Sequence, residues 1–236
     1  MSGLTTFTGI SPLGDRALSI RFRQEISAAV HRDVMACQDA LTKAVQEAKG
    51  GQGPLTFVTD IVPSYAALLV VFDPLKTNCS QMTEEIDKVL GRIGSAGPAR
   101  TGGRLVLIPV LYGKEEGPDL SRVARMHNMT EAEVIRLHCR PVYPVYMLGF
   151  LAGFPYLGGM DPDLATPRLE TPRTGVPAGS VGIAGAQTGI YPIASPGGWN
   201  LIGRTELVLY DPDRKDPFLI HPGDRVKFTD ARKAKL

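Results

Sequence analysis

The chain has 236 residues, and its 26 lysines and arginines nearly balance 24 acidic residues, leaving a net charge of +2. A charge that small, with no basic run and no basic amphipathic helix, gives no electrostatic footprint for nucleic acid. The longest unbroken apolar run, residues 65–72, is far short of the ~20 residues that span a bilayer, so no membrane partner is expected.

The N-terminus lacks a basic start followed by an apolar stretch. Cys37, Cys79 and Cys139 lie far apart with no C-x-x-C. Both features suit reduced thiols and a cytoplasmic location. Leu18, Ile20 and Phe22 alternate with polar residues after a Pro12-Leu13-Gly14-Asp15 turn, which predicts a hairpin with one buried face. Ser27 is placed to cap a helix whose apolar stripe runs through Val30, Val34, Cys37, Leu41 and Val45 and stops at Gly50-Gly51. Strands follow over residues 55–62 and 65–72. A second helix starts near Ser80, with Ile86, Val89, Leu90 and Ile93 on one face. The order ββαββα predicts a ferredoxin-like α/β layer over residues 1–95.

Residues 94–103, GSAGPARTGG, form the connector, with no large apolar side chain to pack. A second domain then occupies residues 104–236, so the fold class is α+β. Residues 105–110 read as a strand, and Asp119 and Thr130 each open a helix, the latter with Glu133 in capping-box spacing. Short strands over residues 206–210, 217–220 and 225–228, separated by Asp/Pro/Gly turns, predict a small β-barrel.

Residues 149–204 hold 12 of the 26 glycines and seven of the 19 prolines, yet contain no lysine and five aromatic residues, too apolar a composition for a disordered Gly/Pro segment. Rigid loops that let something approach closely are the physical reading. No G-x-x-x-x-G-K-[ST] is present, and the four histidines lack metal-ligand spacing, so no metal is expected. The Ala178–Gly182 run imitates a nucleophile elbow but breaks its pattern before Ser180, which reads as a turn or strand residue. The remaining polar candidates are Arg168 and Arg173 in TPRLETPR, and Gln187 and His138. Proline holds the arginine segment extended, which puts the two guanidiniums roughly 15 Å apart. The arginines suit a carboxylate or phosphate clamp, Gln187 an amide contact to a polar substrate, and His138 a general base or an anchor. Phe154, Tyr156, Tyr191 and Trp199 are placed to wall a pocket.

The motifs GFLAGFPYLGGMDP, ATPRLETPR, VPAGSVGIAG, QTGIYPIASPGGW and LIGRT resemble the signature of the 5-oxoprolinase B-subunit family. That family includes KipI-like kinase inhibitors and members labelled allophanate hydrolase subunit 1. GDRAL, IVPSYAALLVVFDP, IPVLYG, GPDL and EVIRLH extend the resemblance over nearly the whole chain. Ala152 and Gly175 depart from it, standing where proline and a basic residue are common. The resemblance implies an N-terminal ferredoxin-like domain and a C-terminal cyclophilin-like β-barrel. It also implies work with the C and A subunits of 5-oxoprolinase in an ATP-driven opening of 5-oxo-L-proline to L-glutamate. Within that family His138 and Arg173 are the catalytic candidates. Phe154, Tyr156, Arg168, Gln187, Tyr191 and Trp199 are the substrate-binding ones, and ATP belongs to the complex. The alternatives are a KipI-like inhibitor of a histidine kinase and a component of an allophanate hydrolase or urea-carboxylase-type carboxyltransferase. Apolar loop residues Phe150, Leu151, Phe154 and Leu157 are expected to bury against the C subunit.

Overall fold

The computed structural model describes residues 3–94 and 103–233; residues 95–102 of the expected connector lie outside them. The chain divides into two compact units, Met1–Thr101 and Gly102–Leu236.

In the first unit, β1 (Phe7–Pro12) and β2 (Ala17–Phe22) form the hairpin, and α1 (Ala28–Ala48) follows. A single 3-10 turn (Pro54–Phe57) then leads into β3 (Val58–Pro63), β4 (Ala67–Phe72) and α2 (Cys79–Gly91). The sheet is antiparallel in the order β1-β2-β4-β3. The period-two pattern does its expected work: Leu18 and Ile20 lie opposite Val70 and Leu68, and all four are buried. Ser27 accepts from the Val30 N–H and so caps α1. Two boundaries differ from expectation. Pro54 has no N–H to give a ladder and begins the 3-10 turn, so β3 starts only at Val58. The amide oxygen of Asn78 accepts from Gln81 N, which starts α2 before Ser80.

The second unit runs through β5 (Leu105–Tyr112), α3 (Leu120–Met126), α4 (Glu131–Cys139), β6 (Tyr143–Leu148) and β7 (Pro155–Leu157). It continues with β8 (Arg173–Val176), β9 (Ser180–Ala184), β10 (Gln187–Ile190), β11 (Ser195–Gly197), β12 (Asn200–Arg204) and β13 (Arg225–Asp230). Seven strands close a barrel in the order β10-β7-β6-β13-β5-β12-β9, while β8 and β11 form a separate two-stranded ribbon. Thr130 and Glu133 complete the capping box at the start of α4. Alternate residues of the barrel strands fill its interior, among them Ile108, Val110, Tyr143, Val145, Ile183, Ile202, Val226 and Phe228.

The strands expected over 206–210 and 217–220 do not form. A single bridge joins Tyr210 to Phe218. Pro212 and Pro217 cannot donate to a ladder, and burial of Leu209 and Ile220 holds this segment instead. Among the described residues no helix is long and apolar enough to cross a membrane.

Candidate functional site

The glycine-rich block folds into β7–β12, and its glycines make room for rings. Phe154 lies edge-on to both Tyr191 and Trp199, with centroids 5.3 Å apart in each case, and sits 5.0 Å from Tyr156. A Cβ on Gly189 would come within 2.9 Å of the Phe154 ring, and one on Gly197 within 2.4 Å of the Tyr191 hydroxyl. The four aromatic candidates are therefore brought together in one cluster with Val176, Ala184 and Leu201. Tyr156 stays half-buried at its margin. Burial pushes the Tyr191 phenol up, opposed by the Trp199 N–H and by the charges of Arg168 and Arg173. Burial likewise raises Tyr156, with Arg168 opposing.

The arginine segment is not extended. Leu169 N donates to Gly198 O at 2.8 Å, and Arg173 pairs with Gly197 across the β8–β11 ribbon, so the chain between them folds back on Gly197-Gly198. Both arginine charges therefore act on the Tyr191 phenol, where an extended segment would hold them apart. Two residues that the sequence did not single out for the site organise the pair. Asp119 takes Arg173 Nη2 at 2.8 Å on one carboxylate oxygen and the Leu201 N–H at 2.7 Å on the other. It stands at the start of α3 but makes no side-chain cap there. Asn200, fully buried, donates to the carbonyls of Pro167 and Ile183 and accepts from Arg122 Nε. Spacing gave no sign of Asp119, because a carboxylate at a helix start reads first as a cap. Asn200 left a faint one, a lone amide between Trp199 and Leu201-Ile202 at a strand position that faces inward.

His138 packs apart from these rings. It is fully buried in the barrel, 4.4 Å centroid to centroid from Phe228, and is not among the residues of the aromatic cluster. The Thr188 hydroxyl donates to Gly182 O, so it accepts from His138 Nε2–H at 2.9 Å, and His138 Nδ1 then accepts the Tyr112 hydroxyl at 2.8 Å. Both ring nitrogens are used and no solvent reaches them. Burial lowers its pKa to about 3. The ring is a buried, neutral part of the core, a setting that fits the anchor of the two roles its place at a helix end allowed.

Gln187 lies half-buried opposite Ala184 at the β9–β10 turn. Ser180 is the buried first residue of β9, a strand position as the broken motif led one to expect. Phe154 and Leu157 are core residues rather than loop tips: Phe154, just before β7, packs in the aromatic cluster, and Leu157, at its end, packs in the barrel core. Only Phe150, 65% exposed at a φ of 63°, projects as expected, with Leu151 half-buried. Two surface clefts, of about 390 and 560 Å³, lie elsewhere in this unit. The first is lined by Pro192, Arg204 and Val208, the second by Arg136, Cys139 and Lys227. In the second, Arg140 is paired with Asp161 and Lys227 caps the Arg140 carbonyl. The arginine–aromatic cluster carries the stronger chemical case, since it joins paired charge to apolar walls.

The model of the carboxyltransferase domain, subdomain C and D, matches residues 8–220 of this chain. The chain is 40% identical over 229 residues to the 5-oxoprolinase B subunit of Bacillus subtilis (strain 168), covering 93% of this chain and 91% of that protein. It is 60% identical over 126 residues to the 5-oxoprolinase B subunit of Haemophilus influenzae, 53% of this chain and 59% of that one. The crystal structure of TTHA0988 superposes with a TM-score of 0.76 at 38% identity, over 92% of this chain and 40% of that longer one.

Proposed function

The chain belongs to the 5-oxoprolinase B-subunit family, and we propose that it serves as the B subunit of an ATP-dependent 5-oxoprolinase, opening 5-oxo-L-proline to L-glutamate together with the A and C subunits. The match to the Bacillus subtilis protein along nearly the full length of both chains carries this reading. The chemistry agrees with the residues. A lactam is a poor electrophile, so its oxygen must become a leaving group before water attacks, and charged intermediates of that kind ask for arginines in a preorganised, partly dry site. Arg168 and Arg173 beside Tyr156, Tyr191 and Trp199 supply such a surface. The sequence contains no P-loop and no nucleophile motif, and its buried histidine is committed to the barrel. We therefore assign the nucleotide and the proton transfers to the assembly.

The same reading extends to the architecture. We take the sheet order β1-β2-β4-β3 as a ferredoxin-like layer with its last strand moved to the front, and the closed barrel as cyclophilin-like. The three free cysteines support a reducing, cytoplasmic setting.

The test is reconstitution. This chain alone, with the C subunit, and with both the A and C subunits is to be assayed for glutamate and ADP released from 5-oxoproline and ATP. Only the full mixture is expected to turn over. Full activity in the isolated chain contradicts the proposal, as does a complete mixture that ignores 5-oxoproline while consuming allophanate or inhibiting a histidine kinase.

A further inference from the structure

The proposed function contributes only the identity of the ligand: 5-oxoproline is a small ring bearing one carboxylate. Arg173 is held by one edge of its guanidinium, through Nη2, to a carboxylate that is itself fixed by the Leu201 N–H. Its Nη1 is shielded from solvent and meets no acceptor among the described residues. A buried cationic donor without an acceptor is destabilising, and nearly all such groups in native proteins are paired. Arg168 adds a second positive charge that acts on Tyr191, and Asp119 pairs with Arg173. The surplus charge, the unmet donor and the aromatic wall lie together on the ribbon and its neighbouring loop.

We infer that Asp119 is a positioning residue that presents Arg173 to a ligand carboxylate, occupying Nη2 so that Nη1 takes a carboxylate oxygen beside the packed Tyr191 and Trp199 rings. The Arg173 side chain is 30% exposed, which leaves an open side for the ligand to enter, and contact with the shielded Nη1 requires the guanidinium to rotate there. No covalent change is involved. The planar fork of arginine suits this division of labour, one edge to the protein and the other to the ligand.

Trp199 is the only tryptophan in the chain and packs within the cluster, so its fluorescence reads binding directly. The full chain is to be titrated with 5-oxoproline, with 2-pyrrolidone, which keeps the ring but lacks the carboxylate, and with glutarate, which has carboxylates and no ring. Saturable responses are expected for 5-oxoproline and, more weakly, glutarate, and none for 2-pyrrolidone. Arg173→Met is expected to weaken 5-oxoproline binding about 30-fold or more, as removing a charge-assisted hydrogen bond does. Asp119→Asn, whose amide oxygen still accepts from Leu201, is expected to weaken it about 10-fold. In the reconstituted assembly Arg173→Met should raise KM more than it lowers kcat. A purely structural Asp119 would lower the thermal midpoint of Asp119→Asn and leave the titration unmoved, which overturns the inference. So does equal 5-oxoproline binding by wild type and Arg173→Met, or silence toward every carboxylate. An Arg173-dependent response to glutarate without one to 5-oxoproline upholds the carboxylate site and removes 5-oxoproline as its substrate.

Discussion

His138→Ala is expected to destabilise the barrel unit by about 3–5 kcal/mol, the range for deleting a buried ring and leaving its partners unpaired. The ring packs against Phe228, Tyr143 and Tyr112, so its removal opens a cavity that the closed barrel has little freedom to collapse. The hydroxyls of Tyr112 and Thr188 lose their imidazole partner in the same step. The same residue sets an acid limit. With its pKa lowered from 6.5 to about 3, the folded state holds the ring neutral while the unfolded chain takes up a proton below pH 6.5. Its contribution is therefore complete above pH 6.5 and is lost as pH falls towards 3, at about 1.4 kcal/mol per pH unit. Urea midpoints at pH 7 and pH 5 measure both effects. His138→Gln, which keeps one donor and one acceptor, should lose most of that acid sensitivity in the barrel unit and should retain turnover in the assembly. A hundredfold fall in turnover with unchanged stability would return His138 to proton transfer.

Gly179→Ala is expected to cost about 4 kcal/mol or more, enough to leave much of the protein insoluble. Gly179 has a φ of 82°, a left-handed value that costs an alanine about 1–2 kcal/mol by itself. An added Cβ would also lie 2.1 Å from the Thr205 carbonyl oxygen, a backbone atom that cannot swing aside. The position is pinned on both sides, since Gly179 N donates to Tyr191 O and Thr205 N donates to Gly179 O. Gly175→Ala is the control: nothing lies within 4 Å of its added Cβ, and a change within about 0.5 kcal/mol is expected. Equal urea midpoints for the two variants would show that the glycines of this block serve flexibility rather than close approach.

Much of the fold was legible because its signals are local. Alternation at Leu18, Ile20 and Phe22, the stripe on α1, and the Thr130–Glu133 capping box each lie within a few residues of the partners that explain them. So did the meaning of the glycine-rich block, whose missing Cβ atoms foretold that something would come close. The segments over 206–210 and 217–220 misled, because apolar residues between turns are buried there by packing without forming a ladder.

The candidate site was legible in kind and not in pairing. Arginines and aromatic rings share one lysine-free, glycine-rich stretch, and that much is written in the chain itself, since composition along a short segment survives any fold. Which polar group meets which is a product of folding. Asp119 and Arg173 are 54 residues apart, and His138 and Thr188 are 50 apart. Periodicity tells a residue which face it occupies, but closure of the barrel decides what lies across from that face. The same closure buried His138 with both nitrogens satisfied, and the chain between Leu169 and Arg173 folded back on Gly197-Gly198.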